Sequence, residues 1–146
     1  MIKRIVSICL VAVLILAACP LKVSANENPS DDINASSYLN SYAATLYSQG
    51  ETGKLELSYQ VYAKNYMTSV GIYKIVVRNA NGSVYKTIWG TTTNGLLGSN
   101  AWYHCDEYTI TGLVSGNQYY CSVTVIAENS SGGDTRTITT SLVTCP

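Results

Sequence analysis

The chain of 146 residues contains nine basic and nine acidic side chains, a single histidine and 47% hydrophobic residues. Without a run of Lys or Arg the chain lacks the charge pattern that binds nucleic acid, and one histidine excludes a histidine-rich metal site. The chain contains twelve tyrosines and two tryptophans but only 12% charged residues. This composition is typical of β-strands, and it also favours a surface that recognises proteins or glycans.

Residues 1–25 have the layout of a signal peptide. Lys3 and Arg4 precede an apolar run over residues 5–18, and a small-residue cleavage pattern ends at Ala25. Cleavage there would leave 121 residues with a net charge of about −3, and we expect this product to be secreted. The apolar run is too short to favour a membrane-spanning helix.

A competing interpretation of the same segment centres on Cys19. Leu16-Ala17-Ala18-Cys19 resembles a lipoprotein signal, which would lipidate Cys19 and anchor the product to a membrane. With either signal, we expect residues 26–34 to form a flexible polar tail and residues 35–146 to form a single domain.

The first part of this domain predicts two strands. The apolar residues within 36–47 have the spacing of an amphipathic helix, yet the Tyr, Ser and Thr content of this segment favours a strand. Residues 49–53 are predicted to form a turn. Residues 54–64 alternate more regularly than any other stretch and predict a strand with one buried face. The side chains expected to point inward are Leu55, Leu57, Tyr59, Val61 and Ala63.

A β-hairpin is predicted around Asn81-Gly82, between strands 70–78 and 84–89. Asn-Gly favours a two-residue type I′ turn, because both central positions of that turn need positive φ. Such a loop sets four cross-strand pairs, which are Arg78 with Tyr85, Val76 with Thr87, Lys74 with Trp89, and Ile75 with Ile88. Ile75 and Ile88 would then face the core, with Tyr85 and Trp89 outside beside Arg78 and Lys74.

The remaining sequence predicts three more strands. Residues 91–100 form a loop, and strands follow over 102–111, 118–128 and 135–144, with a turn at 129–133. Seven strands with turns between them are typical of an all-β sandwich.

The corner before the strand 118–128 resembles the tyrosine corner of fibronectin type III and immunoglobulin-like domains. Leu113 lies six residues before Tyr119 with Gly116 between them, although Ser115 stands where those families usually have Pro. The resemblance implies a seven-stranded antiparallel sandwich of the immunoglobulin or fibronectin type III kind. It also implies that the Tyr119 hydroxyl bonds back to backbone near Leu113.

The order of three further motifs resembles a family of small secreted proteins from Gram-positive bacteria that carry a domain of unknown function. These motifs are SSYLNSY at 36–42, KLELSYQV at 54–61 and GGDTRTITT at 132–140. The resemblance implies a secreted sandwich without an established activity.

Three cysteines remain after cleavage, an odd number for an exported chain. If the last two strands form a hairpin, Cys121 and Cys145 lie at the same end of the sheet, and we predict a disulfide between them. The alternative is that no bridge forms. Cys105 begins its strand at the opposite end and would remain a free thiol.

The triplet His104-Cys105-Asp106 contains residue types used in catalysis, but neighbouring side chains on a strand point to opposite faces. His104 could therefore not activate Cys105 unless this segment is a loop. The sequence contains no zinc spacing, phosphate-binding glycine loop or carboxylate pair spaced for acid–base work, so we predict a non-catalytic protein without a metal or cofactor.

A binding site for an extracellular glycan or protein is predicted on the outer face of one sheet. Its side chains would be Trp89, Tyr85, Tyr120, Arg78 and Lys74, whose aromatic rings supply stacking area. The simpler alternative is that Tyr85 and Trp89 cover the sheet's own edge, with Arg78 packed on Tyr85 as a cation–π pair. A different hypothesis is a cell-surface structural or assembling subunit, anchored through lipid or joined through the odd cysteine.

Overall fold

The computed structural model describes residues 36–146, and within this range the chain forms strands and turns without a helix. The predicted signal peptide, the lipid anchor at Cys19 and the whole of the predicted flexible tail therefore lie outside the described residues. Within residues 36–146, no helix is long and apolar enough to cross a membrane.

Seven strands pair antiparallel throughout. Their bounds are β1 (Leu39–Tyr47), β2 (Lys54–Asn79), β3 (Val84–Trp89), β4 (Leu97–Thr111), β5 (Gln118–Asn129), β6 (Gly132–Thr139) and β7 (Val143–Thr144). The prediction of a first strand within residues 36–47 is confirmed, as is the all-β class.

Strand β2 is the centre of the sheet and changes neighbours along its length. Its first half lies between β1 and β4, whereas its second half lies between β3 and β5, with β6 beyond β5. The sheet therefore curls around one core. The five inward positions predicted for residues 54–64 are confirmed, since each is at most 4% exposed.

The prediction of separate strands at 54–64 and 70–78 is wrong, because β2 continues through both for 26 residues. The intervening residues 65–69 contain no Gly or Pro that would favour a turn. Met67, which is 1% exposed, holds this stretch in the core. Instead of a turn, this stretch contains a shift in the register of pairing between β2 and β4, from Tyr62 to Met67.

The hairpin between β2 and β3 forms where it was predicted, but with a different turn. Lys74–Trp89, Ile75–Ile88 and Val76–Thr87 pair as predicted, whereas Arg78 pairs with Val84 rather than Tyr85. Gly82 has φ of 87° and its amide donates to the Asn79 carbonyl at 2.8 Å, while Asn81 does not adopt positive φ. A type I turn followed by a left-handed glycine replaces type I′ and adds a bulge.

Other strand boundaries also differ from the prediction, and β6 begins at Gly132 rather than at residue 135. β4 begins at Leu97 rather than at Trp102, because Leu96 is fully buried and Leu97 pairs with Gly71. The last predicted strand is divided into β6 and β7 by Thr140. The Thr140 hydroxyl accepts a bond from the Cys121 amide at 2.9 Å, so a side chain takes the place of a ladder carbonyl and the regular pairing stops.

The predicted disulfide between Cys121 and Cys145 does not form, and both thiols are free and buried. The amide of Cys145 donates to the carbonyl of Asn117 at 2.9 Å, which aligns Cys145 with a position four residues before Cys121. Four residues of strand span roughly 13 Å, about twice the usual Cα separation of a disulfide. The two cysteines share one end of the sheet without being neighbours.

Candidate functional site

Two of the residues predicted to bind a ligand, Lys74 and Trp89, form a contact pair on the outer face of the second half of β2. The Lys74 ammonium lies 5.4 Å from the Trp89 ring centroid, and Tyr73 packs edge-on against the same indole at 5.4 Å. Trp89 is 54% exposed. The cation–π contact at the hairpin is therefore this one, rather than the predicted pair of Arg78 and Tyr85.

Arg78 and Tyr120 share that outer face but lie at its other end. They pair across β2 and β5, and Arg78 Nη1 donates to the Gly82 carbonyl at 2.9 Å, which ties it to the hairpin turn. Four residues of β2 separate Arg78 from Lys74, a distance of roughly 13 Å. The structure thus splits this part of the predicted site into two separate pairs.

Tyr85 does not join either pair. Its ring packs edge-on against the fully buried Tyr119 at 5.1 Å, and its hydroxyl donates to the Gly112 carbonyl at 2.7 Å. The bulge opposite Arg78 accompanies this contact with Tyr119, although the Tyr85 side chain remains 36% exposed. Tyr85 is therefore exposed as expected, but its contacts are with Tyr119 and Gly112 rather than with Trp89.

The corner formed by Leu113 and Tyr119 is structural. Both side chains are buried, and the Tyr119 hydroxyl accepts a bond from the amide of Val114 at 3.1 Å. The Leu113 amide donates to the Gly53 carbonyl at 3.1 Å, which attaches the corner to the turn before β2. An aromatic ring thereby enters the core with its polar atom satisfied.

A second outer surface, which was not predicted as a site, crosses β1, the first half of β2 and β4. A depression of about 430 Å³ is lined there by residues 43–45, 58–60 and 105–107, and we call it the groove. Each of the three strands contributes one residue to each of three cross-strand rows. Ala43, Gln60 and Cys105 form one outer row, and Thr45, Ser58 and Glu107 form the other.

Three aromatic side chains lie at one side of the groove, and we call them the aromatic cluster. Tyr62 and Tyr103 form the next outer pair after Gln60 and Cys105, with near-parallel rings at 6.0 Å. Trp102 lies 4.9 Å from the Tyr103 ring and 6.0 Å from that of Tyr62. Trp102 and Tyr103 are 45% and 48% exposed, so the cluster offers a large aromatic surface to solvent.

A backbone irregularity accompanies the aromatic cluster. Asn100 has φ of 50°, and it lies just before the point, between Ala101 and Tyr103, where β4 shifts register against β2. Asn tolerates this left-handed conformation better than most residues with a side chain. The shift separates the regular ladder of the groove from the start of β4, so Trp102 lies within the irregular stretch and Tyr103 begins the regular ladder.

The other side of the groove is polar and acidic. Glu107 accepts a hydrogen bond from the Tyr47 hydroxyl at 2.8 Å, and Glu56 accepts one from the Thr109 hydroxyl at 3.0 Å. Among the residues that line the groove, none is Lys or Arg. The groove therefore combines stacking surface, neutral polar groups and negative charge.

His104 and Cys105 point to opposite faces of β4. The His104 Nε2 atom lies 2.7 Å from the Gly95 carbonyl oxygen and 3.1 Å from the Tyr59 hydroxyl, on the inner side of the sheet. Burial raises the pKa of Tyr59, which keeps this hydroxyl protonated. Cys105 is exposed in the groove. Within residues 36–146, no three side chains of the usual metal-ligating types come together.

Sequence reasoning missed the aromatic cluster because its members come from two strands about 40 positions apart. Alternation within residues 54–64 places Tyr62 on the outer face, and the predicted strand 102–111 contains Trp102 and Tyr103. The missing information was the register that sets Tyr62 opposite Tyr103. No protein-family model matches this sequence, and no characterised protein matches it well enough to transfer a function.

Proposed function

We propose that this protein is a secreted, non-catalytic recognition module that binds an extracellular glycan through the groove and the aromatic cluster. The observation that carries the proposal is the exposed cluster of Tyr62, Trp102 and Tyr103 beside a groove with a polar floor. Aromatic faces stack on the apolar faces of sugar rings, while Ser58, Gln60 and Thr45 offer hydrogen bonds to hydroxyls.

This site differs from the one expected around the hairpin. The spacing of its residues favours the groove and the aromatic cluster over the hairpin residues. The hairpin residues divide into two pairs roughly 13 Å apart, and Arg78 is already bonded to the turn. The aromatic cluster instead adjoins a depression of about 430 Å³, within the size range of small-ligand sites.

The strand neighbours support a finer proposal for the fold, a fibronectin type III-like sandwich. β1, β2 and β4 would form one sheet, and β3, β2, β5 and β6 the other, so that the single strand β2 serves both. Tyr119 and its bond to Val114 agree with the corner of such domains. Membership of the Gram-positive family of secreted proteins belongs to the same proposal.

The test compares Trp102→Ala with Trp89→Ala in glycan binding and in thermal unfolding. Trp102→Ala should abolish or greatly weaken binding on a panel of immobilised glycans, whereas Trp89→Ala should leave it unchanged. Both tryptophans are about half exposed, so the two variants are matched for size and exposure. Equal binding by the two variants would rule out the aromatic cluster as the site.

Cys105 gives an independent readout of the same site. Alkylation of this exposed thiol by a bulky maleimide should block glycan binding, and a bound glycan should slow the alkylation. Peptide mapping by mass spectrometry identifies the modified residue. Alkylation at Cys105 without any effect on binding would contradict a ligand in the groove.

A second candidate function is assembly through the same exposed thiol. Cys105 is free, exposed and beside an aromatic surface, so an extracellular oxidant could join two chains through a Cys105–Cys105 disulfide. A dimer mass that reductant halves, and that Cys105→Ser abolishes, would support this assembling role.

A further inference from the structure

We infer that the groove selects glycans that carry free amino groups over acidic glycans. This inference rests on the proposed function, since it names the ligand class of the same site. It is carried by the charges that line and border the groove.

The fixed charge of the groove is negative. Glu107 lines the groove itself, and Glu56 lies in the next outer row, beside Tyr47 and Thr109. Asp106 belongs to the middle row, whose side chains point to the other face by strand alternation. An acidic polysaccharide would bring like charges together here, whereas a protonated amine would be attracted.

Within residues 36–146, neither Glu107 nor Glu56 forms an ion pair with a lysine. Hydrogen bonding to Glu51, and in smaller part the charge of Glu56, raises the pKa of Lys54. The Lys54 ammonium forms its ion pair with Glu51, in the turn before β2. The Lys64 ammonium donates to the Ser36 carbonyl at the start of the described chain. Both lysines lie outside the residues that line the groove.

Glu107 is also oriented to receive a cation. The Tyr47 hydroxyl donates to Glu107 Oε1 at 2.8 Å, which holds the carboxylate in one position across β1 and β4. Only one oxygen takes part in this bond, so Oε2 has capacity to accept from a ligand ammonium. A carboxylate ordered in advance loses less side-chain entropy when the ligand binds.

The aromatic cluster favours the same ligand class. The faces of Trp102, Tyr62 and Tyr103 attract cations as well as the apolar faces of sugar rings. An amino oligosaccharide can therefore stack one ring on the cluster while the ammonium of another ring, roughly 13 Å away along β4, meets Glu107. A neutral sugar can only stack on the aromatic cluster, and an acidic sugar is repelled by the carboxylate of Glu107.

The experiment uses two β-linked oligosaccharides of equal length, one built from glucosamine and the other from N-acetylglucosamine. Binding of the full chain is measured by titration calorimetry at a mildly acidic pH and low salt, where the amines are protonated. We expect the glucosamine oligosaccharide to bind at least severalfold more tightly, with a preference that shrinks as salt is added. An acidic oligosaccharide of the same length should bind more weakly than either.

Glu107→Gln is compared with Glu128→Gln, which removes an exposed carboxylate at the far end of β5. Glu107→Gln should reduce the preference for the amino form by about two- to fivefold, the range for one exposed charge contact, and Glu128→Gln should leave it unchanged. Equal affinity for both oligosaccharides, or no effect of Glu107→Gln, would overturn the inference. If Trp102→Ala still abolished binding in that case, the proposed function would stand. Failure of Trp102→Ala to affect binding would overturn the proposed function itself.

Discussion

Two single residues, Asn100 and Asp134, have a backbone conformation or hydrogen bonds that a substitution would remove. Asn100 adopts a left-handed backbone next to the aromatic cluster. Asp134 accepts bonds from the Ser36 hydroxyl and the Tyr38 amide, so one carboxylate attaches the start of β1 to β6. Each of these residues gives a prediction that depends on local chemistry alone.

Replacing Asn100 with Ala should lower the free energy of unfolding by about 1 kcal/mol, because a Cβ without a polar partner disfavours the left-handed region. Asn100→Gly should be neutral or slightly stabilising at the same position, since glycine adopts this φ without strain. Urea unfolding of the two variants measures the difference. A more stable Ala variant than Gly variant would contradict the assigned backbone conformation.

The Asp134 bonds predict a pH dependence. The Ser36 hydroxyl and then the Tyr38 amide, both donating to the carboxylate, lower its pKa below the ordinary value of 3.8. Because the folded-state pKa is the lower one, the stabilisation is present above the ordinary value and is lost as the pH falls through the folded-state value.

Asp134→Asn should therefore be less stable than the parent chain near neutral pH and equally stable at strongly acidic pH. Urea unfolding across that pH range gives the comparison, and the nearby exposed Glu128→Gln is the control. A stability gap that persists unchanged into acid would mean that the carboxylate charge is not the cause.

At the scale of elements, the corner between β4 and β5 depends on one hydroxyl. Tyr119→Phe should lower the free energy of unfolding by about 1 kcal/mol, because the Val114 amide loses its acceptor while the ring still fills the core. Tyr120→Phe removes a hydroxyl from the next residue, on the outer face, and should change stability by less than about 0.5 kcal/mol. Chemical denaturation distinguishes the two, and equal losses would argue against a role for the corner bond.

The elements also show what the sequence could and could not predict. Alternation in residues 54–64 predicted five buried side chains. In a strand with one face exposed to solvent, buried and exposed side chains alternate, so the pattern is visible in the sequence itself. The fusion of two expected strands into β2 had no local signal, since residues 65–69 neither require nor forbid a turn. The contact of Tyr85 with Tyr119 accompanies a bulge that Asn81-Gly82 alone does not specify. The groove depended on the register between β2 and β4, which only tertiary packing determines.

At the scale of the whole domain, β2 joins both halves into one core. Trp102 lies beside the first half of β2, and Trp89 pairs with Lys74 in the second half. A single strand that contributes buried residues to both halves leaves neither half with a complete core of its own. We therefore expect residues 36–146 to unfold as one cooperative unit.

Single-tryptophan variants test this expectation. Trp89→Phe leaves Trp102 as the only tryptophan in the chain, and Trp102→Phe leaves Trp89. Each fluorescence transition in urea should have the same midpoint as the loss of β-sheet circular dichroism measured on that same variant. A fluorescence midpoint that departs from the circular dichroism midpoint in either variant would show that the halves unfold separately.

The continuity of β2 also bears on the kinetics of recognition. The strand runs from Gln60 in the groove to Lys74 at the hairpin without a turn, so it provides no hinge about which one half could close over a ligand. A ligand of the groove would meet a surface that is already formed. Its observed association rate should therefore rise linearly with ligand concentration, without the plateau that a slow conformational step imposes.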